Sequence, residues 1–69
     1  MHKYYKHFKG NLYKLLFIAK DSETLKQVVV YQAMYGKEEI WTRDYDNFFS
    51  TVTVNGVEVP RFQEIEQKQ

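Results

Sequence analysis

The sequence predicts a mainly β fold of short antiparallel strands, and three local signals carry that expectation. LKQVVVYQAMY, Leu25 to Tyr35, is dense in β-branched and aromatic residues. LYKLLFIAK, Leu12 to Lys20, is short, apolar and aromatic. TVTVNGVEVP, Thr51 to Pro60, centres on Asn55-Gly56, the dipeptide of two-residue hairpin loops, because both central positions need positive φ.

In chain order, MHKYYKHFKGN closes on a Gly10-Asn11 turn. In LYKLLFIAK, strand alternation puts Tyr13, Leu15, Phe17 and Ala19 on one face, with Leu16 and Ile18 on the other. Helical spacing (Leu12, Leu15, Leu16, Ala19) fits too; aromatic content and short length favour the strand. DSET, Asp21 to Thr24, is a polar turn. The strand after it sets Val29, Tyr31, Ala33 and Tyr35 on one face, with Val28, Val30 and Met34 on the other. Apolarity on both faces suits a central strand of a tight barrel.

Gly36 to Glu39 turns the chain into a third strand, Glu39 to Arg43. Asp44 then caps a single helical turn reaching Phe49, its carboxylate accepting backbone N–H bonds. The Asn55-Gly56 loop pairs Val54 with Val57 and Val52 with Val59, and opposes Thr53 to Glu58. Pro60 ends the pairing for want of an N–H. Phe62 and Ile65 pack back on the body.

These elements assemble into a small antiparallel barrel, SH3-like or Tudor-like, with a one-turn helix before the C-terminal hairpin. Closure also removes exposed strand edges. The alternative is a three- or four-stranded sheet crossed by one N-terminal helix. One domain is expected over residues 1–69, with its core in about 4–65 and a frayed tail at 66–69.

Sixty-nine residues with no cysteine can draw on neither a disulfide nor a thiolate metal site. Stability must come from apolar burial, so most of the 12 aromatic residues belong to the core. About two to four of them are left for binding, on the same reasoning. Net charge is +1, against strong general affinity for nucleic acid. Residues 1–14 carry four lysines and no acid, while the rest holds six bases against nine acids. A basic, aromatic N-terminal segment therefore adjoins a mildly acidic body. The sequence shows no signal-peptide pattern and no membrane-crossing apolar run, so a cytoplasmic protein with no membrane partner is expected.

Catalysis finds no constellation. Ser22 and Ser50 lie outside any glycine-rich elbow, and His2 and His7 lack further metal ligands at a recognisable spacing. Asp44 is explained by capping, and Asp46 by solvation. No phosphate-cradling glycine loop is present. Neither an enzyme nor a cofactor is expected; a metal-dependent enzyme using His7 is a third, weaker reading. What remains is an aromatic and polar group, Tyr31, Gln32, Tyr35, Trp41, Arg43 and Tyr45, of the kind that stacks on a base or encloses a cation.

YKHFKGNLYKLLFIAKDSET, VVVYQAMYG, IWTR and VNGVEVPRF resemble the small bacterial proteins grouped as domain of unknown function 1653. The likeness runs from about Tyr4 to Ile65. It rests on a Tyr-x-His-Phe/Tyr-Lys-Gly opening with His7, a Ser-Glu-Thr turn, a Val-Tyr-x-Ala-Leu-Tyr-Gly strand (here with Met34 in the Leu place), a Trp-x-Arg segment and an aromatic pair. This chain departs from the pattern at Asp44, where the family usually has proline, and at Gln32, where arginine is frequent. The resemblance implies a compact intracellular domain and transfers no catalytic residue.

The expectation is thus a non-catalytic binding module with an aromatic and basic rim: His7, Lys9, Tyr31, Tyr35, Trp41 and Arg43. A protein, a peptide or a single-stranded nucleic acid would be its partner. The alternative is a structural protein whose aromatics form a homodimer interface.

Overall fold

The structure, a computed structural model, describes residues 2–66. Along the chain lie β1 (Lys3–His7), β2 (Leu12–Lys20), β3 (Gln27–Ala33), β4 (Ile40–Asp44), α1 (Tyr45–Phe48), β5 (Thr51–Val54), β6 (Val57–Pro60) and β7 (Phe62–Ile65). Five strands form one antiparallel sheet in the order β4-β3-β2-β1-β7, and β5-β6 is a separate hairpin.

The mainly β, antiparallel expectation holds, as does the strand at Leu12–Lys20. The helical turn is also where the sequence places it: Asp44 Oδ2 accepts from the Asn47 N–H at 3.3 Å. The hairpin register matches as well, with Val54 opposite Val57, Val52 opposite Val59 and Thr53 opposite Glu58. Asn55 and Gly56 have φ of 51° and 79°, the left-handed pair that a tight hairpin loop requires. Thr51 still pairs with Pro60, so the proline is the last residue of the ladder.

Hydrogen-bonded closure into a barrel is not found among the described residues. β4 and β7 are opposite edges of an open sheet. The edges nevertheless approach through side chains: the Arg43 guanidinium on β4 lies 5.2 Å from the centroid of the Phe62 ring on β7. The sheet is curled, and α1 packs against β3 and β4 within the curl.

Two strands stand where the sequence shows only a leading segment and a packed-back tail. β1 and β7 pair with each other, Tyr4 opposite Ile65 and His7 opposite Phe62. The tail residues 67–69 lie outside the described residues. Strict alternation in β2 also fails. The register shifts between Leu15 and Phe17, so Leu16 is an extra, unpaired residue, and such a bulge exchanges the faces beyond it. Tyr13 and Leu15 keep the inner face, opposite Ala33 and Tyr31; Ile18 joins them opposite Val29, while Phe17 and Ala19 turn outward opposite Val30 and Val28.

The core is the inner cluster of Tyr5, Val29, Tyr31, Phe48 and Phe62, with Tyr13 and Leu15 packed against it. Phe48 is fully buried and stacks on Phe62 with ring centroids 4.0 Å apart and planes 3° from parallel. Tyr5 and Tyr31 meet Phe48 edge-on at 5.2 and 5.3 Å, the electrostatically favoured arrangement. Fewer rings are core than expected: Phe8, Phe17, Tyr35, Trp41, Tyr45 and Phe49 are all exposed.

Phe48→Ala is expected to cost about 3–5 kcal/mol, the usual cost of deleting a buried ring. Urea unfolding monitored by Trp41 fluorescence would measure it, and a cost below about 1 kcal/mol would show that this core is not the stabilising unit.

Candidate binding cleft

Four of the six rim residues expected from sequence come together on the inner face. Tyr31, Tyr35, Trp41 and Arg43, joined by Tyr13, line an open cleft of about 250 Å³. The geometry follows from register. Tyr31 opposes Trp41 and Val29 opposes Arg43 across β3-β4; residues two apart share a face, so Trp41 and Arg43 stand beside Tyr31. Tyr13, opposite Ala33 on β2, supplies the far wall. The β3-β4 loop returns Tyr35 over that wall, where its hydroxyl lies 2.8 Å from the Tyr13 hydroxyl.

Arg43 is held from three directions. Its Nε donates to the Tyr31 hydroxyl at 3.2 Å and its Nη1 to Asn47 Oδ1 at 2.7 Å. Its guanidinium carbon sits over Phe62 at 5.2 Å, a cation–π contact. Asn47 is in position because the Asp44 cap starts the helical turn directly after β4, which puts Asn47 four residues after Arg43. All three supports are neutral, and the one ion pair among the described residues, Lys3 with Glu64, lies elsewhere.

The Tyr13 phenol is pushed up to about 12, first by burial and then by its bond to Tyr35, so it is a neutral hydroxyl throughout the physiological range. Trp41 and Tyr35 are 49% and 45% exposed and form the open lip. Trp41 does not complete the core.

The other two expected rim residues do not line this cleft. His7 packs one row behind it, its ring 4.8 Å from Phe62 and 6.4 Å from Tyr13, and it faces a second cavity of about 360 Å³ shared with Phe8, Val54, Val59 and Pro60. Its Nδ1 accepts the Lys9 backbone N–H at 3.1 Å, so the neutral ring carries its proton on Nε2. The Lys9 side chain lies over Phe8 at 5.9 Å, in the β1-β2 turn. No cluster of three or more metal-ligating side chains occurs among the described residues.

Tyr13, Asn47 and Phe62 are the cleft's unforeseen members. Tyr13 is legible as the inner-face partner of Leu15, whereas Asn47 and Phe62 reach Arg43 only through the folded arrangement. Gln32 opposes Lys14 and Ile40, on the outer face, and its amide donates to the Glu38 carbonyl at 3.0 Å. An arginine at that position would project away from the cleft. Asp44, where the family pattern has proline, is the helix cap.

Fold and cleft together define a small antiparallel β domain that carries an aromatic–arginine cleft on the inner face of a curled sheet. The chain belongs to the family described as Protein of unknown function (DUF1653), whose model matches residues 3–64. It is similar to a crystal structure of a DUF1653 protein from Bordetella bronchiseptica, with a TM-score of 0.87 and 30% identity over 100% of this chain and 91% of that one. Among curated proteins no match is found.

Burial lowers the His7 pKa, and the charges of Arg43, Lys9 and Arg61 lower it further. A histidine near 6.5 when unfolded therefore binds its proton less readily when folded. Stability is full above that value and falls as pH drops through it toward the folded pKa, because the unfolded state then holds more protons. Melting temperatures between pH 8 and 5 should decline below about pH 6.5, and His7→Gln should flatten that part of the profile. An unchanged slope in the variant would remove His7 as the cause.

Proposed function

We propose that this protein is a non-catalytic binding module, and that the Tyr13–Tyr31–Tyr35–Trp41–Arg43 cleft is its site. One observation carries the reading: a chain with so little core leaves its single tryptophan half exposed beside a propped arginine that meets no carboxylate among the described residues. Stability alone favours burying that ring. Open aromatic faces beside a guanidinium suit a ligand that stacks and accepts hydrogen bonds. Lys9 contributes from behind the cleft as positive field rather than as a contact, and His7 packs there as a neutral ring. The approach of Arg43 to Phe62 across the open edges supports an SH3-like or Tudor-like reading of the architecture, and the intracellular setting expected from sequence is part of the same proposal.

An amide NMR titration with a mixed panel of small aromatic compounds, neutral and charged, tests the site. Shifts are expected at Tyr13, Tyr31, Tyr35, Trp41 and Arg43. Trp41→Ala should abolish them while costing less than about 1.5 kcal/mol of stability, well under the core value of about 3–5. A loss of several kcal/mol with no binding by the wild type would make Trp41 structural and end the proposal.

A second reading, self-association, is favoured by the outer face. Phe17 and Ile40 there are 57% and 60% exposed, flanking Val30 and Gln32 on β3. Light scattering at high micromolar concentration should then show a dimer that Phe17→Lys dissociates; a strict monomer excludes it.

A further inference from the structure

The chemistry of the cleft's polar groups narrows the ligand class, on the reading above that the cleft binds at all. Two of Arg43's N–H groups are committed, to Tyr31 and Asn47. The others have no protein acceptor among the described residues, and every support of the guanidinium is neutral. A partly buried cation without a counter-charge is unfavourable, and an incoming anion relieves that cost.

The tyrosines point the same way. Tyr31's oxygen already accepts from Arg43, so its own proton is free to be donated. The Tyr13 and Tyr35 hydroxyls share a single hydrogen bond, which leaves the proton of one of them unused. None of the five lining side chains is a carboxylate or an amide, so the polar end of the cleft is rich in donors. The field agrees in sign, since Arg43, Lys9 and Arg61 all oppose protonation of His7.

Size and shape set the rest of the ligand. Trp41 and Tyr35 present half-exposed rings at the lip, which favour a flat partner. A volume of about 250 Å³ falls below the range of about 300–1,000 Å³ typical of drug-sized sites. It suits one ring with its acidic group.

We propose that the cleft is a site for a small aromatic acid, a carboxylate or phosphate carried on a single flat ring: the guanidinium of Arg43 and the Tyr31 hydroxyl take the anion, and Trp41 and Tyr35 hold the ring.

Matched probes on the wild-type protein test this: benzoate, phenyl phosphate, benzamide, benzylamine and inorganic phosphate, read by Trp41 fluorescence and amide NMR. Benzoate or phenyl phosphate should bind at least about tenfold more tightly than benzamide, as expected for charge-assisted hydrogen bonds. Whichever of the two binds better identifies the acid. Binding should weaken as sodium chloride rises from about 20 to about 300 mM. Arg43→Gln should bring the acid down to the level of benzamide, and Arg43→Lys should retain only part of the preference, because the fork is lost. If Arg43→Gln does not fold, the salt series and the matched wild-type probes decide alone.

Equal binding of benzamide and benzoate, or tightest binding of benzylamine, would overturn the acid and leave the binding module standing. Inorganic phosphate binding as tightly as phenyl phosphate would overturn the ring. No response to any probe would defeat this proposal, and if the wider aromatic panel is silent too, the binding reading falls with it.

Discussion

The stacked pair of Phe48 and Phe62 is the contact on which the rest of the molecule depends. Phe48 comes from the helical turn and Phe62 from the last strand, so one face-to-face contact joins an element attached to one sheet edge with the strand that forms the other. Around the pair, Tyr5 and Tyr31 add edge-on contacts from the inner strands. An open sheet this small needs such a clamp, because hydrogen bonding between β4 and β7 does not supply the closure. Phe62 also contacts His7, Tyr13 and Arg43. The ring that completes the core is therefore also the floor under the arginine of the cleft, and core and site cannot be varied independently there.

What the sequence reveals, and what it hides, divides along the range of the interactions. Asn55-Gly56 sets its hairpin through local backbone conformation, and Asp44 starts its helical turn through a bond three residues away; both are readable in isolation. β1 and β7 are not, because KYYKH and FQEI hold little β-branched character; β1 becomes a strand by pairing with both β2 and β7, and β7 by pairing with β1 across nearly the whole chain. The bulge at Leu16 is hidden for a different reason. Leu15 to Ala19 is apolar throughout, so no polar residue marks where the faces exchange. The inward turn of Ile18 and outward turn of Phe17 follow from pairing to β3 alone.

The cleft shows the same division. Trp41 and Arg43 are two apart on one strand, and Tyr31 with Tyr35 bounds the turn before it, so their proximity is a local consequence of one hairpin-like connection. Tyr13 joins through the neighbouring strand. Asn47 and Phe62 hold Arg43 only after α1 and β7 have docked. His7 and Lys9, basic and close in sequence to the aromatic opening, separate from the cleft because the β1-β2 turn carries Lys9 outward while His7 pairs opposite Phe62. Charge density along the chain marked the region; strand pairing decided which members reach the site.

On the proposed function, the exposed rings bear on binding rather than on folding. A domain of this size has little apolar surface to spare, and the simplest improvement would turn Trp41 inward or replace Arg43 with an aliphatic residue, since exchanging a partly buried charge for a packed hydrophobe is often neutral or favourable to stability. The structure does the opposite. It spends Tyr31's hydroxyl, Asn47's amide and the face of Phe62 on keeping one guanidinium in a fixed orientation, and it leaves the neighbouring tryptophan half open to solvent. An arginine serving solubility alone would extend into water, where its side-chain entropy is retained. Fixing it beside open rings is a cost in stability, and on the proposed function that cost is offset by preorganisation for the ligand.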